Sequence, residues 1–452
     1  MAVCGQVAAA QKKNVDRLAS HNKSEGNFGS ASEFRYTSTS PSVAISAVCD
    51  DTAFPYPSHR CSDGITKMPF MVLGGLSLNV NRCNFIVVHD FFDTCDSTAI
   101  IFKPIVQRHE GCQALCFNYP GQSNTVWPRL PAAERDRGAR EPVLNNDWIA
   151  DRMHELLLHA EERGEILLSS PFHLVGFWNG AAIAAAFSQR WGSSIHYSNS
   201  LRSVVAVNGF LYPDPQLSAI LHSATQIFES TPHSRPDIPV SFWCRYIFSE
   251  DYLGRVNPNL AINIHTAVSN PITNEGRSKI AKGCLHHRDL RHGLAPDHIP
   301  QRGPSIGSTR GDDEPTAPVQ VPVIVVQSTE NMLVNPSNVD NFLTGRAARH
   351  LWSHQLNVLS GAVLAQANDV TAQWVGKLSS SAADYQKFSI LGKSGLKMLL
   401  ETLGNPRGAF VMWNRAGHAL YQENKAALLD LFDVLACPTD GKNILSHFYQ
   451  YY

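Results

Sequence analysis

Three polar side chains and one aromatic decide what chemistry this chain could do. His418 follows Gly417 in RAGHALY, Asn331 sits in STENMLV, and Asp90 follows His89 in FIVVHDF. A histidine placed beside an acid and a hydroxyl or thiol is the equipment of nucleophilic catalysis, in which the imidazole takes the nucleophile's proton. The hydroxyl is missing where a turn would present it. In HLVGFWNGAAIAAAF, Gly176 and Gly180 frame a strand-to-helix turn whose middle position holds Trp178. An indole N–H only donates a hydrogen bond, so Trp178 is no nucleophile. GFWNG contains no Ser, Cys or Asp to replace it.

The elements around these positions have a clear rhythm. Apolar runs of strand length occur at FIVVHDF, CQALCFNY, FHLVGF, SVVAVNGF, VPVIVVQS and GAFVMWN, with helix-like stretches such as DWIADRMHELLLHAEERG between several of them. Such alternation predicts a mostly parallel central sheet of about eight strands with helices on both faces. Loops at the carboxyl ends of the strands then carry the function. Val204 to Asn208 and Val323 to Gln327 are expected to be adjacent inner strands.

The succession of these segments resembles the α/β-hydrolase superfamily over most of residues 80 to 435. The resemblance places His89-Asp90 at the oxyanion turn, Asn118 to Thr125 at the D-x-P-G-x-G-x-S loop, and Gly176 to Gly180 at the nucleophile elbow. It places Ser328 to Val334 at the acid loop and Gly417-His418 at the histidine loop. The implied triad positions are Trp178, Asn331 and His418. An amide at 331 can orient a histidine but cannot stabilise its cation as a carboxylate does. A carboxylate at 90 would oppose developing negative charge. A bulky residue at a turn that needs positive φ is costly, so relaxation of the elbow is expected. Asp214, in NGFLYPDPQ, is the alternative acid for His418.

Composition narrows the classes further. The chain has 452 residues, 43% hydrophobic and 17% charged, with a formal net charge of -1. That is enough for one large domain with insertions or two smaller ones, and no global field selects nucleic acid. No window reaches the roughly 18 apolar residues of a membrane span. The ten cysteines are scattered, which suggests free buried thiols; no metal site and no cofactor are expected. His286, His287, His292 and His298, with the basic run RSKIAKGCLHHRDLRH, read as a solvated loop.

The segments divide as follows. Residues 1–65 form a polar extension and 66–212 the first part of the core. Residues 213–319 form a cap-like helical insertion with a flexible tail. Residues 320–343 carry a core strand and the acid-loop position, 344–406 a second helical insertion, and 407–452 the last strand, the histidine loop and a final helix. With three catalytic positions altered together, the expected function is a non-catalytic, structural or protein-interaction component of a larger assembly. Its protein partners would be met through the extension and the two insertions. The address would be cytoplasmic, within a cytoskeletal or organellar assembly. The alternatives are an esterase-, lipase- or lyase-type enzyme with an unusual site around His418, and a module for a small apolar ligand.

Overall fold

The computed structural model describes residues 56–75, 83–128, 141–255, 272–290 and 323–338, save a few positions inside these spans, together with 373–377, 385–389, 408–413 and 416–436. The polar extension up to residue 55, the tail from residue 291 to 319 with His292 and His298, and most of the second insertion lie outside the described residues.

Ten strands form one sheet: β1 (Ser58–Arg60), β2 (Lys67–Leu73), β3 (Asn84–Val88), β4 (Ala114–Phe117), β5 (Phe172–Phe177), β6 (Leu201–Val207), β7 (Val323–Ser328), β8 (Gln373–Lys377), β9 (Tyr385–Ser389) and β10 (Gly408–Trp413). Their order is β1-β2-β4-β3-β5-β6-β7-β10-β8-β9. The six strands from β4 to β10 in that order are parallel to their neighbours, and the outer strands pair antiparallel. Strands β3, β4, β5 and β7 are buried at every position, as expected when both faces of a sheet are covered. Each Val or Ile buried in this way contributes roughly 1.5–3 kcal/mol relative to exposure. β6 and β7 are neighbours, with Val204 opposite Val323. The sheet exceeds the expected eight strands because β1 and the β8–β9 hairpin extend its edges.

Part of the second insertion departs from its helical reading. Its described residues are the antiparallel hairpin β8–β9, which docks on β10. QWVGK and YQKFS are short and carry no helical stripe, so pairing along an open edge determines their conformation.

Helix α1 (Cys95–Arg108) packs on β4 and β2. Helix α2 (Asn146–Glu162) packs against α3 (Asn179–Trp191), which crosses β5 and β6. The alanine run Ala184 to Ala186 is fully buried and lets α3 lie close to the strands. The cap contains α4 (Pro215–Ser230), α5 (Asp237–Ile247), α6 (Glu250–Arg255) and α7 (Asn274–Leu285). Helices α8 (Leu420–Glu423) and α9 (Lys425–Leu435) follow the histidine loop, and α9 packs on α1.

Helix α7 corrects the reading of RSKIAKGCLHHRDLRH as a solvated loop. Thr273 caps it by accepting from the Gly276 amide at 3.0 Å, and Ile280, Ala281 and Cys284 are buried against α4. Its charges are used within the chain: Lys279 pairs with Glu141, Lys282 with Glu229, and Arg288 with Asp147 at 2.8 Å. His286 is exposed, whereas His287 is buried and stacked on Phe210 at 5.4 Å. Counting charge hid the apolar face because the charged residues lie between its members.

Candidate functional site

The elbow keeps its backbone. Trp178 has φ 47° and ψ -110°, so the expected relaxation has not happened. Both flanking glycines explain why. A Cβ on Gly176 would lie 2.4 Å from the Ala181 Cα, and one on Gly180 2.3 Å from the Val88 carbonyl oxygen. Strand β5, helix α3 and strand β3 therefore meet without room for a side chain, and the turn between them is fixed by that contact. The Trp178 amide donates to the Val207 carbonyl at 2.9 Å, which ties the turn to β6 as well.

The indole fills the space in front of the turn. Trp178 is 1% exposed. Its ring lies edge-on to Phe91 at 5.6 Å, Trp243 at 5.5 Å and His418 at 5.5 Å, and near Phe210 at 5.8 Å. Phe92 and Phe228 extend this aromatic group into the cap. Its Nε1–H is buried with no hydrogen-bond partner among the described residues, a cost of about 1–3 kcal/mol that the packing offsets.

His418 sits between two oxygens. Its Nδ1 lies 3.2 Å from the Asn331 Oδ1 and its Nε2 lies 3.1 Å from the Asp90 Oδ2. Asn331 Oδ1 also accepts from the amides of Leu333 at 3.0 Å and Val334 at 3.3 Å, so the loop aims the amide oxygen at the ring. Both ring nitrogens thus face side-chain oxygens.

Asp90 is the residue whose role the sequence did not disclose. Rather than standing apart as a repulsive charge, its carboxylate bonds to the histidine that remains. Its Oδ1 accepts from the Phe91 amide. In an acyl-transfer site, an amide of this loop would donate to a substrate oxyanion. Here an internal carboxylate takes that donor and also contacts the imidazole edge that a nucleophile would use.

Next to it, Asp93 is buried and accepts from the Tyr421 hydroxyl. Burial, reinforced by the Asp90 charge, pushes its carboxyl well above the usual range. His89 is buried within reach of the Asp90 carbonyl and Asn118 Oδ1 and is stacked on Tyr119; burial lowers its pKa to about 4.

Asp214 does not reach His418 through any hydrogen bond. It caps α4, accepting from the Leu217 amide at 2.9 Å, and takes a bond from Asn338 Nδ2 at 3.2 Å. The sequence reading also missed Asn208, which has φ 49° at the end of β6. Its amide donates to the His418 carbonyl at 2.7 Å and the Ser328 Oγ at 2.9 Å, and its oxygen accepts from the Ser328 amide at 2.8 Å. An Asn closing a strand before a turn was the available signal, since Asn tolerates the left-handed region.

No protein-family model matches this sequence, and no curated protein resembles it. Among solved structures, it is similar to an α/β-hydrolase enzyme from a Medee basin deep-sea metagenome library, with 11% identity and a TM-score of 0.51 over 88% of this chain and 98% of that one. It is also similar to a thermophilic esterase from Thermogutta terrifontis, with 12% identity and a TM-score of 0.50 over 84% of this chain and 99% of the other. The chain has the α/β-hydrolase fold. At such identities the likeness is one of fold alone. No helix among the described residues is long and apolar enough to cross a membrane.

Proposed function

We propose that this protein does not perform the acyl transfer for which its fold is equipped, and that it serves as a binding component of an assembly. One observation carries the first half: the two places a substrate would need are occupied from within. Trp178 fills the space before the elbow, and the Asp90 carboxylate holds the Phe91 amide and the free edge of His418. Neither group can attack an ester as a serine would. The second half rests on the polar N-terminal extension and the two insertions, which a minimal fold does not need.

The test is direct. Intact protein should neither turn over p-nitrophenyl esters nor react with a fluorophosphonate probe, and Trp178→Ser should remain silent because Asp90 still holds the Phe91 amide. Probe labelling that disappears in His418→Ala would overturn the reading.

A second reading is that of an enzyme, and the Asp90–His418 pair favours it, as do the hydrolase and esterase named among the structural neighbours. A carboxylate 3.1 Å from an imidazole is a base-and-proton-carrier arrangement that needs no serine. Ester or lactone turnover abolished by both Asp90→Asn and His418→Ala would support it.

A further inference from the structure

Away from His418, the first strands and helix α2 bring together side chains of a different chemistry. His59 on β1 and Cys61 just after it are two apart on an extended chain, so their side chains share a face. Glu155 and His159 are four apart on α2 and share a face of that helix. The imidazole of His59, the thiol of Cys61 and the carboxylate of Glu155 place their ligand atoms within 4.8 Å of one another. The His159 ring lies 4.7 Å from that of His59.

We propose that His59, Cys61 and Glu155 form a three-ligand, zinc-type metal site that pins the start of the β-sheet to α2.

The donor set suits such an ion. One thiol, one imidazole and one carboxylate match the mixed sulfur, nitrogen and oxygen ligation of Zn²⁺, with a fourth position left open. In a tetrahedral site with ordinary bond lengths, ligand atoms stand roughly 3.3–3.8 Å apart. His59 Nε2 already lies 3.9 Å from Glu155 Oε2, and this nitrogen is buried with no hydrogen-bond partner among the described residues.

The supports are rigid. Asp63 accepts from the amides of Ile65 and Thr66, and Cys61 and Thr66 close the turn through a 2.8 Å backbone bond. Ser62 donates its amide and hydroxyl to Glu155 at 2.6 and 2.9 Å, and Arg152 donates at 2.8 Å. These bonds orient the carboxylate while leaving one lone pair of Oε2 to a metal, as outer partners of metal ligands do. Arg152 also lies 3.9 Å from Asp63, so its charge is shared between two carboxylates. Binding displaces the thiol proton to solvent as the metal–sulfur bond forms, one proton for each ion.

Cobalt(II) titrated into the full-length reduced protein is the probe. One ion per chain should bind, with a thiolate-to-cobalt charge-transfer band that zinc abolishes. Cys61→Ser should lose the band, and His59→Gln and Glu155→Gln should each weaken binding at least about tenfold. Cys244→Ser, which removes a buried thiol on α5, should retain it. Should Cys61→Ser fail to fold, His59→Gln still decides, because its ring is partly exposed. No band in the wild-type protein, or a band and affinity unchanged in His59→Gln, would overturn the site.

Discussion

The elbow and the histidine loop face each other across one site, yet they are held in place by different physics. The elbow is a matter of steric fit: Gly176 and Gly180 leave no room for a Cβ, and Trp178 keeps its left-handed backbone inside an aromatic group. The histidine loop is a matter of polar bonds, with Asn208, Asn331 and Asp90 each holding one part of it. Packing constrains the backbone and is indifferent to what the side chain could catalyse. A polar network constrains which groups stay and lets their partners change. Steric fit therefore holds the elbow's backbone around an indole, while polar bonds hold the histidine beside Asp90.

This contrast can be broken by substitution. Trp178→Ala removes packing on the elbow side and should cost about 3–5 kcal/mol, read as a lowered denaturation midpoint. An unchanged midpoint would mean that the aromatic group does not support the turn. On the polar side, Asn208→Ala loses three buried hydrogen bonds at a residue of positive φ, and should cost about 2–3 kcal/mol. Its signature is local: amide exchange should quicken around Ser328 and His418 but not around Gly180.

Acid should sharpen the comparison. Burial lowers His173 and His287 to about 3 and His89 to about 4. Because these folded values lie below the unfolded 6.5, the unfolded chain binds protons first as pH falls. Stability is thus complete above about pH 6.5 and is lost progressively toward pH 3–4. At pH 5 each such histidine costs about 2 kcal/mol. Asp93 and Glu423, both raised by burial, act oppositely and are favoured by acid. His287→Phe, stacked on Phe210, should reduce the acid loss measured by melting temperature against pH. A profile identical to the wild type would remove His287 from this account.

The smallest effect is expected at Asn331. Its Nδ2 is buried without a partner among the described residues, while its oxygen accepts from two amides and faces the ring of His418. Asn331→Asp should therefore stabilise the protein by less than about 1 kcal/mol in thermal melts at neutral pH. A clear loss would show that a second carboxylate near Asp90 is not tolerated.

Much of this was legible in the sequence. Gly176 and Gly180 follow from strand-turn-helix punctuation, Asn331 and His418 from the resemblance to α/β-hydrolases, and the parallel sheet from the apolar runs. What could not be read were contacts between distant segments. Asp90 meets His418 because β3 and the loop after β10 end on the same side of the sheet, and no spacing rule encodes that. His59 and Glu155 likewise belong to separate elements. The charge of RSKIAKGCLHHRDLRH misled for a related reason, since its partners Glu141, Glu229 and Asp147 lie far away in the chain.

One further consequence concerns the order of synthesis. Strand β6 ends at Val207, but its neighbour β7 begins at Val323. A ribosome therefore delivers β2 through β6 well before the strand that completes their central edge. During that interval the unpaired backbone N–H and C=O groups of β6, from Val204 to Val207, are an open template for any passing strand. The cap helices are made in the same interval, directly after that edge, and can fold over the nascent half-sheet. The insertion is thus synthesised while that edge is still open.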